Sequence, residues 1–439
     1  MQILNKNIVL ALHIALGFIL VGFPFLSTYL GLFVVILATY SILGSKKYND
    51  LLPLQFSSYI VGLEVLLRMC KSSLFWEFGK YSIIYFIILG LLRRKSGLNM
   101  YWPIVVYFLL LLPSIINVPL ESINLWRQDI AFNLSGPLCL TALSIYLYNV
   151  RLKKTELAEL FYYSLLPIIS MSIVIILKMP DMQSYAFSPY SDPSTSGGYG
   201  PNQVSTIFGF IITGLSFGQI FKNNITGSKS IDIACLVLFI GLGLITFSRG
   251  GLFAAMIAIT LSTSVYYFSN FQKIEIIFKS ILILVVIIVT WSAIVNITEG
   301  VISQRYGISE GPLGEKSKLD LTGRAQIYEI DIQIFKNNFI SGVGPGQAYR
   351  LRNIYGYGKQ VAAHTEFSRM LAEHGMFGFI SLICLIGIPF KQFFLTSTKD
   401  SKTIKILFGI LALLTLLHTA MRISMPCFAF GLLFPKYYD

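Results

Sequence analysis

Ile8-Val9-Leu10-Ala11-Leu12-His13-Ile14-Ala15-Leu16-Gly17-Phe18-Ile19-Leu20-Val21-Gly22-Phe23-Pro24 is an unbroken apolar run, and a second run follows from Phe25 to Gly44 without a polar gap. A secretory leader has a single short apolar region that ends in a small-residue cleavage site. This pair has none, so 8–24 reads as a retained membrane span. A hydrocarbon layer of about 30 Å takes about 20 apolar residues, fewer within a bundle. By that measure the pattern continues through 51–68, 79–92, 100–117, 136–150, 159–179, 203–221, 231–247, 252–270, 276–296, 375–391, 403–423 and a short 424–435. The expectation is an all-α polytopic membrane protein of about 12–14 transmembrane helices, with 51–68 and 424–435 the most marginal of the set.

Composition agrees. Of 439 residues, 55% are hydrophobic and 13% charged, where a soluble domain has about a quarter charged. The net charge of +13 does not point to nucleic acid, because Lys and Arg collect in short loops between spans. One set of alternate loops holds Lys46 and Lys47, then Arg93, Arg94 and Lys95, then Arg151, Lys153 and Lys154, and later Lys222, Lys229, Lys273, Lys391, Lys399 and Lys402. The other set includes 118–135, where Glu121 and Asp129 offset Arg127, and 180–202, with Asp181 and Asp192 but no Lys or Arg. The positive-inside rule puts the first set in the cytoplasm. Arg249 and everything from about Asn296 to His374 then fall outside. The chain reads as one integral membrane domain, 1–439, with an outer loop inserted at 297–374.

The five cysteines stand singly in apolar segments and the four histidines are dispersed, so neither a disulfide framework nor a metal site is expected. The long insertion does not read as disordered. Thr322 can N-cap a helix running to Asn337, with Ile327, Tyr328, Ile330, Ile332, Ile334 and Phe335 as apolar contacts. Gly342-Val343-Gly344-Pro345-Gly346 breaks the chain sharply. A further helix is expected to start near His364 and run into the span at 375–391.

Four places carry candidate chemistry. Arg249, in Thr246-Phe247-Ser248-Arg249-Gly250-Gly251, stands alone at a span end. A guanidinium there faces a cavity or partner, or snorkels to headgroups, and the glycines allow backbone or ligand to approach closely. Arg324 follows the cap Thr322, where a helix N-terminus and a planar guanidinium fork both suit an anion; its plain alternative is a pair with Glu329 or Asp331. His364 begins Ala363-His364-Thr365-Glu366-Phe367-Ser368-Arg369-Met370-Leu371-Ala372-Glu373-His374-Gly375. A neutral imidazole at a helix start can accept a proton from a hydroxyl. Glu366 and Glu373 flank Arg369 at i−3 and i+4 as an ion-pair ladder, with Glu366 the rival base. Asn202 and Gln203, after a Gly/Ser/Pro-rich stretch, can bind sugar hydroxyls or cap the next span. Glu64 and Arg68, four apart in an apolar segment, read as a mutually neutralising pair.

Thr246, Ser248, Arg249 and Gly250 at the outer end of a span, then Thr322-Gly323-Arg324, then the 342–346 glycine run, then His364 with Leu371-x-Glu373-x-Gly375, resemble the bacterial O-antigen ligase family. That family also embraces O-antigen and exopolysaccharide polymerases. The resemblance covers about 203–391. It implies a C-type glycosyltransferase architecture in the bacterial inner membrane, with the active site facing the periplasm and no metal or other cofactor. The implied donor is an undecaprenyl-diphosphate-linked glycan and the implied acceptor a lipid A-core, or a second lipid-linked glycan for a polymerase. Arg249 and Arg324 would hold the diphosphate and His364 would activate the acceptor hydroxyl. The chain departs from the ligases at Thr365-Glu366, where they often carry Asn, which keeps the polymerase acceptor open. A transporter is the different class to weigh, but transporters show repeated halves with sites near the midplane, and neither is evident.

Overall fold

The computed structural model describes residues 5–46, 49–94, 99–120, 123–181, 191–268, 324–357 and 365–439, with 292, 295 and 296. These form α1 (Lys6–Gly22), α2 (Leu26–Gly44), α3 (Leu51–Met69), α4 (Phe78–Arg93), α5 (Trp102–Leu109), α6 (Ile123–Leu147), α7 (Lys154–Lys178), α8 (Pro201–Ile220), α9 (Lys229–Ile245), α10 (Arg249–Phe268), α11 (Arg324–Asn337), α12 (Ala348–Arg352), α13 (Glu366–Phe394), α14 (Lys399–His418) and α15 (Met425–Gly431). Among the described residues, eight helices are long and apolar enough to cross a membrane: α2, α3, α6, α7, α8, α10, α13 and α14. The protein is an all-α polytopic membrane protein.

The core lies where small residues let helices close. On α3, a side chain at Gly62 would stand 2.3 Å from the Ser164 carbonyl of α7. On α10, Ala254, Ala255 and Ala258 are buried while Phe253, Met256, Ile257 and Leu261 are exposed. That split gives one face to the bundle, by close packing of small residues, and the other to lipid. The sequence made 51–68 a marginal span, yet α3 is as enclosed as α7 and α8, and its polar residues bond other helices.

Three expectations shift, and a fourth falls largely outside the described residues. The segment 100–117 is α5 followed by a 3-10 turn, Pro113–Asn117, because Pro113 cannot continue an α-helix. Helix α6 begins at Ile123, inside what hydropathy gives as the loop 118–135, and passes through Pro137. The short 424–435 does not span: α15 has seven residues, all buried. Of 276–296, only the residues named above are described. Two three-residue strands, β1 (Arg151–Lys153) and β2 (Lys436–Tyr438), pair in parallel and fix the last residues to the start of α7.

Contacts sort the loops to two ends. At one end Arg94 bonds Asp50 (2.5 Å) and Tyr146 bonds the Asp50 carbonyl (3.0 Å). There too Lys154 pairs with Asp400 (2.6 Å), Lys391 lies over Tyr101 and Lys399 over Tyr266. These are the Lys/Arg-rich loops, and they share one face. Helix α11, α12 and the start of α10 pack at the opposite end.

Candidate functional site

Arg249 is presented by a tightly built reversal. Thr246 Oγ1 donates to the Gly243 carbonyl (2.7 Å) and accepts from the Ser248 N–H (3.2 Å), closing α9. Phe247 takes a left-handed φ of 53°. Ser248 is tied twice to α8: its Oγ donates to Asn202 Oδ1 (2.8 Å), and its carbonyl accepts from Ser205 Oγ (2.8 Å). Arg249, half-buried, opens α10. The two glycines after it serve protein packing. A Cβ on Gly250 would lie 2.4 Å from the His418 ring, and one on Gly251 would lie 2.2 Å from the Ser205 carbonyl. His418 Nε2 meets Thr206 Oγ1 at 3.0 Å. The histidine is thus a neighbour of the Arg249 turn that the sequence did not single out; its sole signal was its position ending an apolar run. Asn202 lies in the cluster through Ser248, whereas Gln203 is buried and folds beneath Gly200, 2.1 Å from where a Cβ would be.

The insertion docks through a glycine joint. Gly375 leaves the helical region of α13, at φ 58° and ψ −135°, and so the Met376 N–H turns to the Phe339 carbonyl (2.7 Å). In a regular helix that N–H would bond the Ala372 carbonyl, four residues back. The freed Ala372 and Glu373 carbonyls instead accept from the Val343 (3.1 Å) and Gly344 (2.9 Å) N–H groups. Gly342, Gly344 and Gly346 all have positive φ. A Cβ on Gly342 would sit 2.4 Å from the Glu373 carbonyl carbon, so the loop reaches α13 only with hydrogen there. The sharp break expected at 342–346 is therefore a socket for the kink at Gly375. Nearby, buried His374 Nδ1 meets Ser114 Oγ at 2.6 Å.

Two ionic clusters complete the dock. Arg369 binds Glu366 with both Nε and Nη2 and Glu373 with Nη1 (2.6 Å), and reaches Asn133 Oδ1 of α6 (3.2 Å). The ladder is the one their spacing predicts, and all three of its members are buried. Glu366, with both oxygens on Arg369, faces the ladder. The other cluster was hidden. Arg352 Nε donates to Asp331 (2.8 Å), and Ser368 Oγ donates to its other oxygen (2.6 Å), joining α11, α12 and α13. Burial pushes the Asp331 carboxyl up, against the pull of Arg352. Asp331, once a candidate partner for Arg324, is thus engaged elsewhere. Asp129, on the first turns of α6, accepts from Arg350 (2.9 Å) and Gln347 (3.1 Å), which explains why a polar stretch is helical.

Arg324 is the first residue of α11; Thr322 lies outside the described residues. So does His364. Helix α13 starts at Glu366, with Thr365 Oγ1 accepting the Ser368 N–H (3.1 Å) as N-cap. His364 therefore precedes the cap, because threonine competes better for a cap than for a helical interior.

Fold and site together define a polytopic helical membrane protein with a polar helical insertion clamped to one end of its bundle, the end that also carries a half-buried arginine. Residues 234–383 match the O-antigen ligase family (Wzy_C), a range running from α9 through the Arg249 turn and the glycine joint into α13. That segment is thus similar to an O-antigen ligase domain. No curated protein matches the chain.

Proposed function

We propose that the protein transfers a glycan from undecaprenyl diphosphate to a lipid A-core acceptor at the periplasmic face of the bacterial inner membrane. The observation that carries this is the sorting of ends. The basic loops share one face, and the Arg249 turn and the docked insertion share the other. With the basic face cytoplasmic, the domain is a single membrane unit, 1–439, with 297–374 as its periplasmic loop. In the reaction, the acceptor hydroxyl oxygen attacks the anomeric carbon and its proton passes to His364. The bond from that carbon to the diphosphate oxygen breaks, and the diphosphate leaves with the electron pair, its charge held by Arg249 and Arg324. Attack opposite the leaving group inverts the carbon, and no metal takes part. Asn202 orients sugar hydroxyls, while Gln203 and Glu366 support from beneath. A second lipid-linked glycan as acceptor would make the enzyme a polymerase.

The test is transfer with purified lipid-linked donor and acceptor, with chelator present. Wild type is expected to be active, and Arg249→Lys to lose most activity, because the ammonium cannot reproduce a bidentate fork. Chelator-sensitive transfer would overturn the metal-free chemistry. In cells, loss of all capped core on deletion marks a ligase, and a core with one repeat marks a polymerase.

A further inference from the structure

We infer that Trp76 and Tyr199 form a stacking platform for a pyranose of the glycan, a subsite beside the Arg249 turn. It rests on the glycan-transfer reading above and adds to it where a sugar ring sits.

The platform is assembled by one buried cation. Arg68, paired to Glu64 at 2.6 Å, donates through Nη2 to the Trp76 carbonyl (2.8 Å) and through Nη1 to the Arg422 carbonyl (2.9 Å) and Tyr199 Oη (3.3 Å). Glu64 Oε2 takes the Ser424 N–H (2.7 Å) and Oγ–H (2.6 Å). Three stretches distant in sequence are thereby drawn together: the end of α3 with the 70–77 loop that follows it, the turn before α8 and the turn after α14. The pair is more than neutralising, since both Nη groups also bond neighbouring segments.

Trp76 results from this in an unusual state. Its carbonyl is anchored and its ring is braced by the Arg68 guanidinium at 4.8 Å, yet 54% of the residue is exposed. The Tyr199 ring lies 6.5 Å from it, tilted 55°. Tyr199 is held in turn by the 193–200 turn, where Asp192 caps Ser194 (2.9 Å), Gly197 and Gly198 take positive φ, and Ser196 Oγ binds the Tyr199 carbonyl (2.6 Å). Three residues on is Asn202, bonded to Ser248 next to Arg249. A rigid, partly exposed aromatic pair gives flat apolar area at little entropic cost, with polar rims beside it. Such a surface suits the C–H face of a pyranose whose hydroxyls reach Asn202. A tryptophan in the interfacial belt of a membrane protein lies on the lipid perimeter. Here Phe75 packs edge-on against Phe78 and tilted against Tyr81, whereas Trp76 lies against Tyr199, in the turn that leads into α8.

The test uses the full chain in nanodiscs with Trp102, Trp126 and Trp291 replaced by Phe, leaving Trp76 as the only emitter. The probe is the delipidated polysaccharide released by mild acid from the same cells' lipid-linked donor. The expected result is a saturable change in Trp76 emission. Tyr199→Ala should weaken binding between about twofold and tenfold, the range of aromatic stacking energies. Trp76→Phe, which keeps a flat ring, should bind within about twofold of wild type by equilibrium dialysis of labelled polysaccharide. Quenching by brominated acyl chains with no response to polysaccharide would make Trp76 a belt residue and overturn the platform. Dialysis that shows binding while Trp76 stays silent would overturn the platform and leave the glycan reading intact. No binding by either method would remove both.

Discussion

Gly342→Ala isolates the joint between insertion and bundle. Two penalties act at once. The backbone sits at φ 66°, where a non-glycine residue costs about 1–2 kcal/mol. The new methyl would also meet the Glu373 carbonyl at 2.4 Å and the His374 nitrogen at 2.5 Å, main-chain atoms that cannot rotate away. Overpacking of that kind costs about 1–3 kcal/mol. Gly356→Ala supplies the control, because its φ is 94° but nothing lies within 4 Å of the added carbon; it carries the conformational penalty alone. The difference between the two, about 1–3 kcal/mol, amounts to about 5- to 150-fold in the population of the undocked loop. Amide hydrogen exchange by mass spectrometry in nanodiscs reads that ratio at the Val343 and Gly344 N–H groups, both bonded to α13. Faster exchange by that factor in Gly342→Ala, with exchange in α3 and α7 unchanged, is expected, together with a drop in transfer. Equal exchange in the two alanine variants would refute the socket.

Arg249→Lys and Arg324→Lys should both insert normally and lose most of their transfer activity, since charge persists while the fork does not; full activity in both would end bidentate recognition of the diphosphate. His364→Ala should lower turnover about 10²–10⁴-fold with donor binding retained, whereas Glu366→Gln should show first as a lower melting temperature, because its carboxylate holds buried Arg369; a stable but inactive Glu366→Gln beside an active His364→Ala would move the base to Glu366. Breaking the Asp331–Arg352 pair with Arg352→Met leaves a buried carboxylate without its cation, and should destabilise the insertion by about 3–5 kcal/mol, seen as protease cleavage within α11. For topology, Ile354→Cys, at 77% exposure, should label with an impermeant thiol reagent in the periplasm, and exposed Ser397→Cys only after the inner membrane is disrupted; the reverse pattern would invert the site.

What the sequence disclosed was whatever a single helix or a single loop encodes. Helix α2 at Leu26–Gly44 and α7 at Lys154–Lys178 lie within a few residues of their apolar runs, and the Glu366–Arg369–Glu373 ladder was readable because i−3 and i+4 neighbours share a helix face. The hub at Arg68 was not readable, because its partners Tyr199 and Arg422 stand 131 and 354 positions away. The pair Asp331 and Arg352, 21 positions apart, was likewise obscure, since a bend separates α11 from α12. The first turns of α6, ahead of the expected span at 136–150, were missed for the opposite reason. Asp129 and Asn133 depress hydropathy in its first turns, although they are polar in order to bind Arg350, Gln347 and Arg369. The glycine run shows the limit most directly. Sequence announces a required break, because glycine is the residue that takes positive φ freely. It cannot announce that the Gly375 kink 29 positions beyond Gly346 would leave two carbonyls without donors. Once those carbonyls are seen, the run ceases to be a mere interruption. Buried carbonyls need partners, the loop's own N–H groups supply them, and the two glycine positions must therefore fail together if either is filled.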